Sequence, residues 1–391
     1  TLLRSNVHFV EGDVTVPAGD TLVIQAGTLI KFRGDYTFTA NGPVFASGTA
    51  DSHIVFTSGM ATILAGDWKR ISLNNAHNSI FRYCDFSWAE NGIRIYNSDS
   101  TEISYCTFEN HLAGIAIDGE GSNSENMKIT HNTMSGFSRG IEFSNAYNSE
   151  FKYNKIEATD WAIYCYNCDN SEFKYNEIYS PTDNYMSGGI HAQNAEGSLF
   201  SYNNIIGFRE HGIYFNSSDG STVTYNDIAD TNKQGNYSNS NTRGLYTWDN
   251  SAGTENIIRN NNIYIIGHDN AYGIQANYSL IDSNQIKVRA NDDWGRGVRA
   301  DYSTVNSNTV FDYTNDQAGY GIETYHSTVK DNTVQAAYHT RGFWGNNTTV
   351  ENNSFTGNYI GQSPFHDQGA VNWNNTEWAI GGGENIVARN N

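Results

Sequence analysis

Apolar and polar residues alternate along this chain in short bursts, each broken by a turn. The most regular burst has the form hydrophobic-x-x-Asn-x-hydrophobic. It reads "FRYCDF" from Phe81, "ISYCTF" from Ile103, "ITHNTM" from Ile129, "FKYNKI" from Phe151, "FKYNEI" from Phe173 and "FSYNNI" from Phe200. It continues as "VTYNDI" from Val223, "IRNNNI" from Ile258, "IDSNQI" from Ile281, "VNSNTV" from Val305, "VKDNTV" from Val329 and "VENNSF" from Val350. The fourth position is Cys84, Cys106, Asn132, Asn154, Asn176, Asn203, Asn226, Asn261, Asn284, Asn308, Asn332 and Asn353. Most steps are 21 to 27 residues, and the step from Asn226 to Asn261 is longer.

A second series, Gly-Ile-x-hydrophobic, interleaves with the first, from Gly92-Ile93 and Gly140-Ile141 through Gly212-Ile213, Gly244-Leu245 and Gly273-Ile274 to Gly321-Ile322. Each period thus holds about three short strands of period two, too little for a pair of helices. One coil of a parallel β-helix has that content. The spacing predicts an all-β solenoid of about a dozen or more coils. Successive coils stack about 4.8 Å apart, so the repeated Asn lies above its predecessor. An inward Asn at a tight bend can satisfy backbone groups and the next Asn amide, and it tolerates the left-handed backbone that a bend needs. The repeated Asn is therefore read as a structural ladder.

Cys84 and Cys106 take the same ladder position in adjacent coils, where parallel side chains suit two buried thiols better than a bridge. Cys165 and Cys168 lie close enough to bond locally. Residues 1–80 lack the Asn step and read as an N-terminal cap with the first, shorter coils. Residues 81–391 read as regular coils ending in a C-terminal coil, "GAVNWNNTEWAIGGGENIVARNN". With no linker between these parts, one domain spanning 1–391 is expected.

Composition supports β structure: 37 Gly and 25 Tyr stand against only 4 Pro, with few long-helix formers. A net charge of −19 would repel a polyanion, so no nucleic-acid partner is expected. No run of 18 apolar residues exists, so no membrane insertion is expected. Thr1 stands where an initiator Met would, which reads as the mark of a removed leader or flanking region.

Strand alternation sends the x positions of the Gly-Ile series outward, placing a strip of Tyr, Trp, Asn, Gln and His on one face. Flat apolar rings and forked hydrogen-bonding groups suit a pyranose, so His191, Tyr214, Tyr246, Trp248, Arg299, Tyr325 and Trp344 are candidate substrate-binding residues. Glycosidic hydrolysis wants two carboxyl groups, and Asp249, Asp269, Asp292, Asp293, Asp301 and Glu323 fall on or beside the middle coils. His211, in "REHGIYF", could bind an acidic sugar or tune a neighbouring acid. Elimination would need a cation and a base instead, for which Lys233, Arg243, His191, Tyr246 and Arg299 are candidates. Adjacent Asp292 and Asp293 allow a Ca²⁺ site. No cofactor is required by any of this, and no nucleotide-binding or zinc-protease motif is present.

The two repeats resemble those of right-handed parallel β-helix proteins of the pectin-lyase-like superfamily, over nearly the whole chain. That resemblance implies sugar chains bound along the sheet that carries the Gly-Ile motif. The leading block "VPAGDTLVIQAGTLIKF", with "GTADSHIVFTS" and "GDWKRISL", is similar to the opening of extracellular β-helix proteins common in methanogenic archaea, the disaggregatase family among them. This implies an extracellular or cell-surface enzyme that loosens cell aggregates by attacking a matrix polysaccharide containing uronate and hexosamine. Hydrolysis is the expected reaction; β-elimination and a non-catalytic glycan-binding or structural role are the alternatives.

Overall fold

The computed structural model describes residues 7–112, 114–119, 121, 123–181, 186–230, 241–267, 269–291, 293–314, 319–336, 340–357 and 387–389. Every regular element among them is a β-strand. The chain divides into two compact units, Thr1–Met186 with Ile190–Ser198, and Ser187–Gly189 with Leu199–Asn391.

Sharp corners at the Asn motif set the coil. The residue before each ladder position has a positive φ, as at Tyr83 (50°), Tyr153 (56°), Tyr225 (57°) and Asp331 (56°). Strands Glu150–Lys152 and Lys155–Ala158 flank one such corner and belong to different sheets. A bulky residue in this region is strained, and the ladder that follows supplies the compensation.

Each coil contributes one strand to each of three parallel sheets. In the first unit, Ile103, Ile129, Phe151 and Phe173 stack in register, as do Ile93, Ile117, Ile141 and Ile163. The pairing of Val7–Val10 with Leu29–Phe32, and of that strand with Ile54–Ser58, shows that coils begin well before Phe81. In the second unit the same holds for Val223, Ile258, Ile281, Val305, Val329 and Val350. There Ile213, Leu245, Ile274, Val298, Ile322 and Phe343 form the inward row of the Gly-Ile sheet. These side chains are buried, each worth about 1.5–3 kcal/mol of transfer free energy.

Glycine joins the two motifs. A Cβ on Gly244 would stand 2.5 Å from Ile263 Cγ2 and 2.7 Å from the Gly273 carbonyl oxygen. On Gly297 it would stand 2.1 Å from Val310 Cγ1 and 2.5 Å from the Gly321 oxygen. The terminal apolar residue of the Asn motif therefore occupies the space that the glycine of the next sheet leaves empty.

The Asn ladder is present. Asn154 donates its backbone N–H (3.0 Å) and its Nδ2 (3.1 Å) to Asn176 Oδ1, and Nδ2 also donates to the Ile129 carbonyl (2.8 Å). In the second unit Asn261 donates in the same way to Asn284 Oδ1, and Asn284 to Asn308 Oδ1. Cys106 continues the scheme with a thiol: its N–H donates to Asn132 Oδ1 (3.0 Å) and its Sγ to the Phe81 carbonyl (3.4 Å). Cys84 and Cys106 are free and buried, and burial pushes the Cys84 thiol well above its ordinary range. Cys165 and Cys168 are joined by a disulfide.

One expectation is corrected. Outward positions were expected to form an exposed strip, yet Glu142, Asn216, Gln275, Asn277 and Glu323 are 4 to 8% exposed. Coils stack so closely that long Arg, Tyr and Trp side chains of adjacent strands close over shorter polar ones.

Candidate functional site

In the second unit the outer face of the Gly-Ile sheet is built on strands Phe208–Tyr214, Asn241–Thr247, Asn270–Asn277, Gly295–Asp301, Tyr320–Tyr325 and Arg341–Asn346. The residue preceding each motif glycine forms a row in register: His211, Arg243, Tyr272, Arg296, Tyr320, Arg341. Beside it runs Tyr214, Tyr246, Gln275, Arg299, Glu323, Trp344. Asn277, Asp301, Tyr325 and Asn346 continue outward positions at the strand ends.

Arginines and rings interlock along this face. Arg243 lies over the Tyr246 ring (4.8 Å) and the Tyr272 ring (5.1 Å), while Arg296 covers Tyr272 from the next coil (5.0 Å). Arg341 lies over Tyr320 (5.8 Å) and Arg299 over Trp248 (6.0 Å). The Arg243 Nε donates to Gln275 Oε1 (2.6 Å) and its Nη1 to His211 Nε2 (3.3 Å). An arginine can only donate, so His211 Nε2 accepts and carries no proton there.

Of the two acids on these outward rows, Glu323 and Asp301, Glu323 is the more deeply buried. It is engaged by Arg296 Nε through Oε2, by the Tyr325 hydroxyl through Oε1 (3.2 Å), and more loosely by Arg299 Nε (3.8 Å). Among the described residues no carboxylate pairs with Arg243 or Arg341. Burial pulls the Arg243 guanidinium below its usual range and pushes the Tyr246 phenol above its own. One carboxylate thus serves two arginines, and the face holds net positive charge on a chain whose total is −19.

The first unit carries a different cluster on its Gly-Ile sheet. Asp118 and Glu142 are register partners, and Glu142 pairs with Tyr164. Arg139 donates to Glu142 Oε1 (2.7 Å) and Asp160 Oδ2 (2.8 Å) and lies over the Tyr164 ring (4.5 Å). His191 packs on Tyr164 (4.3 Å) and edge-on to Trp161 (4.9 Å). Burial lowers His191 to about 4, with the Arg139 charge acting in the same direction. Arg139 serves both Glu142 and Asp160, and Arg94 lies 3.9 Å from Asp118, so three acids here share two arginines.

The family profile described as "Right handed beta helix region" matches residues 70–181. The chain is a right-handed parallel β-helix. No curated protein sequence matches this β-helix. Among solved structures it is similar to the Dettilon tailspike protein, at 15% identity and a TM-score of 0.33, covering 84% of this chain and 60% of that one. The β-helix therefore spans less than two thirds of that tailspike. It is also similar to the A-module of the Azotobacter vinelandii mannuronan C-5 epimerase AlgE6 (10% identity, TM-score 0.32, 96% and 90% covered). A third similarity is to the Agl-KA catalytic domain (10% identity, TM-score 0.39, 93% and 63% covered). At such identities these are likenesses of fold.

The β-helix brings together Tyr214, Tyr246, Trp248, Arg299, Glu323, Tyr325, Trp344 and His211 in the second unit. Tyr214 packs against His211 (5.2 Å) and Tyr246 (5.3 Å), and Trp344 against Tyr325 (5.0 Å). His191 belongs to the first unit and to the cluster described there. Asp249 is not on a strand: it sits exposed at a left-handed corner (φ 56°), where its Oδ2 accepts from Asn216 Nδ2 (3.2 Å). Asp269 and Asp293 lie in successive turns leading into the sheet, the Asp293 N–H donating to the Asp269 carbonyl (3.1 Å). Asp301 ends its strand against His326 Nδ1 (3.4 Å). Asp292, and with it the Asp292–Asp293 pair considered for Ca²⁺, and Lys233 lie outside the described residues. Among the described residues no group of three or more His, Cys, Asp or Glu gathers to hold a metal ion.

Arg296 and Arg341 escaped the sequence reading altogether, and Arg243 entered it only as an alternative. The signal was available: the residue directly before each motif glycine runs His, Arg, Tyr, Arg, Tyr, Arg.

Proposed function

We propose that this β-helix is an extracellular enzyme that binds an acidic polysaccharide along the arginine-bearing face of its second unit and cleaves it there. The observation that carries the reading is the register of Arg243, Arg296 and Arg341 among tyrosines on one sheet face. Guanidinium groups supply forked donors for carboxylates, and adjoining rings supply apolar contact for sugar faces. Cys165–Cys168 fits an oxidising compartment. Dispersal of cell aggregates is the narrower form of this proposal, supported by the leading block of the sequence.

Elimination has better support on this face than the hydrolysis expected from sequence. Hydrolysis wants one carboxyl free to donate a proton, whereas both oxygens of Glu323 are already engaged and Asp301, at the strand end, lies against His326. Arg243 can neutralise a uronate carboxylate, and when that carboxylate takes over Nη1, His211 Nε2 is released as a base. The base removes the proton at C5. Its electron pair forms the C4–C5 double bond, the C4–oxygen bond breaks, and the departing oxygen takes a proton from Tyr246, which burial keeps protonated.

Incubation with acidic polysaccharides, following reducing ends and the absorbance of unsaturated uronate together, tests this. Both signals support elimination. Reducing ends alone support hydrolysis, and neither signal supports a glycan-binding or structural protein.

A further inference from the structure

A second cationic cluster lies on a different sheet of the second unit, the one that follows the Asn corner. Strands Asn262–Gly267, Gln285–Ala290 and Thr309–Asp312 run side by side there. On its outer face Tyr264, Lys287 and Phe311 are register partners, as are Ile266 and Arg289. Tyr313 comes next to Arg289, its N–H donating to the Val288 carbonyl (3.1 Å). The Tyr313 hydroxyl reaches back over the middle strand and donates to the Tyr264 hydroxyl (3.0 Å). This bond spans the coil that carries Lys287 and Arg289. Burial, and after it the bond to Tyr264, push the Tyr313 phenol above its ordinary range. Tyr313 therefore stays the donor, and the Tyr264 hydroxyl keeps its own hydrogen for an outside acceptor.

The two cations stand here without an acid. Among the described residues neither Lys287 nor Arg289 has a carboxylate partner, and the Arg289 Nε is buried with no acceptor. Asp227, one strand earlier, is engaged by Asn262 Nδ2 (2.9 Å). Asp312 points inward, fully buried, and accepts from the Thr314 hydroxyl (2.8 Å). A desolvated guanidinium with an unmet donor favours an incoming anion. Residues two apart on a strand share a face at about 7 Å, so one bound group can meet both cations.

We infer that Arg289, Lys287 and the Tyr264 hydroxyl form a binding site for a tetrahedral oxyanion of charge −2, such as inorganic phosphate or a phosphate monoester. A single carboxylate would leave one of the two cations unmatched. The rings of Phe311 and Tyr313, 5.9 Å apart, offer an apolar wall to a sugar or other compact body that carries the group. The site is separate from the Gly-Ile face and does not depend on the glycan reading.

Calorimetric titration of the intact chain with inorganic phosphate, glucose 6-phosphate and acetate tests this, at about pH 8 where both phosphates are mostly dianions. The two phosphates are expected to bind at least about tenfold more tightly than acetate. Arg289→Gln and Lys287→Gln should each weaken phosphate by about tenfold, and Tyr264→Phe by about threefold or more. Arg341→Gln, on the other sheet, should leave it unchanged. Thermal unfolding of the exposed Lys287→Gln variant should match that of the parent, which separates lost binding from lost fold. Tighter binding of glucose 6-phosphate supports an esterified ligand held against the rings, and equal binding supports the free ion. Acetate binding as tightly as phosphate, no binding of either phosphate, or phosphate binding that survives Arg289→Gln and Lys287→Gln overturns the site.

Discussion

Arg243 and His211 stand in register on neighbouring strands, and the Arg243 Nη1 donates to His211 Nε2 over 3.3 Å. The contact stores a base in its unprotonated form beside the cation that an acidic sugar would seek. His211→Gln is therefore expected to lower kcat on an acidic polysaccharide by about 10²-fold or more. Thermal unfolding of the variant should stay close to that of the parent, and a kcat within threefold of the parent would remove His211 from the mechanism.

Glu323 holds a buried arginine. It is 4% exposed and bonded to Arg296. Glu323→Ala strands that guanidinium and is expected to cost about 3–5 kcal/mol in denaturant unfolding. Replacing both partners, Arg296→Met with Glu323→Leu, should recover most of the loss, since the buried guanidinium goes with its partner and only the more exposed Arg299 loses its looser contact.

The ladder makes a separate prediction. Asn284 Oδ1 accepts from both the N–H and the Nδ2 of Asn261, and its own Nδ2 donates to the Ile258 carbonyl (2.9 Å). Asn284→Ala strands several buried groups at about 1–3 kcal/mol each, so a loss of about 3 kcal/mol or more is expected. Asn262→Ala, one residue after Asn261 but exposed, should change stability by about 0.5 kcal/mol at most.

Acid should weaken the first unit through His111. This side chain is 6% exposed, its ring bonds to the Phe86 carbonyl through Nε2 (3.1 Å), and burial lowers it to about 4. Its ordinary value is near 6.5, so between about pH 6.5 and 4 the unfolded chain binds the extra proton. Stability is full above 6.5 and falls as the pH drops toward 4, by about 3 kcal/mol for this group. His191, lowered to about 4 by the same cause, adds to the same acid limb. Denaturant unfolding at pH 7 and pH 4.5 should show His111→Gln losing less stability on acidification than the parent.

The coil was legible because it repeats. A hydrophobic at either end of the Asn motif and a glycine opening the next strand recur often enough to specify three strands and their corners, and the glycines prove to be where those hydrophobics pack. The face was legible only in part. Alternation from Ile213, Leu245 or Ile322 correctly pointed Tyr214, Tyr246 and Glu323 outward, but it could not show that Glu323 is roofed over by Arg296 from the adjacent coil. Burial on an outward face depends on the reach of side chains some 24 to 29 residues away in sequence. Arg296 and Arg341 precede the motif glycine, where strict alternation from the following apolar residue points a side chain inward, so the pattern does not reveal them. Asp249, Asp269 and Asp293 are near the middle coils in sequence, but the turns they occupy hold them at the ends of strands.

The most direct test is a crystal structure of the His211→Gln variant soaked with an acidic oligosaccharide. Sugar density is expected on the second unit's Gly-Ile face, with carboxylates against Arg243, Arg296 or Arg299, and Arg341. Density on another sheet, or beside Asp118 and Glu142 in the first unit with the arginine row bare, would contradict the account.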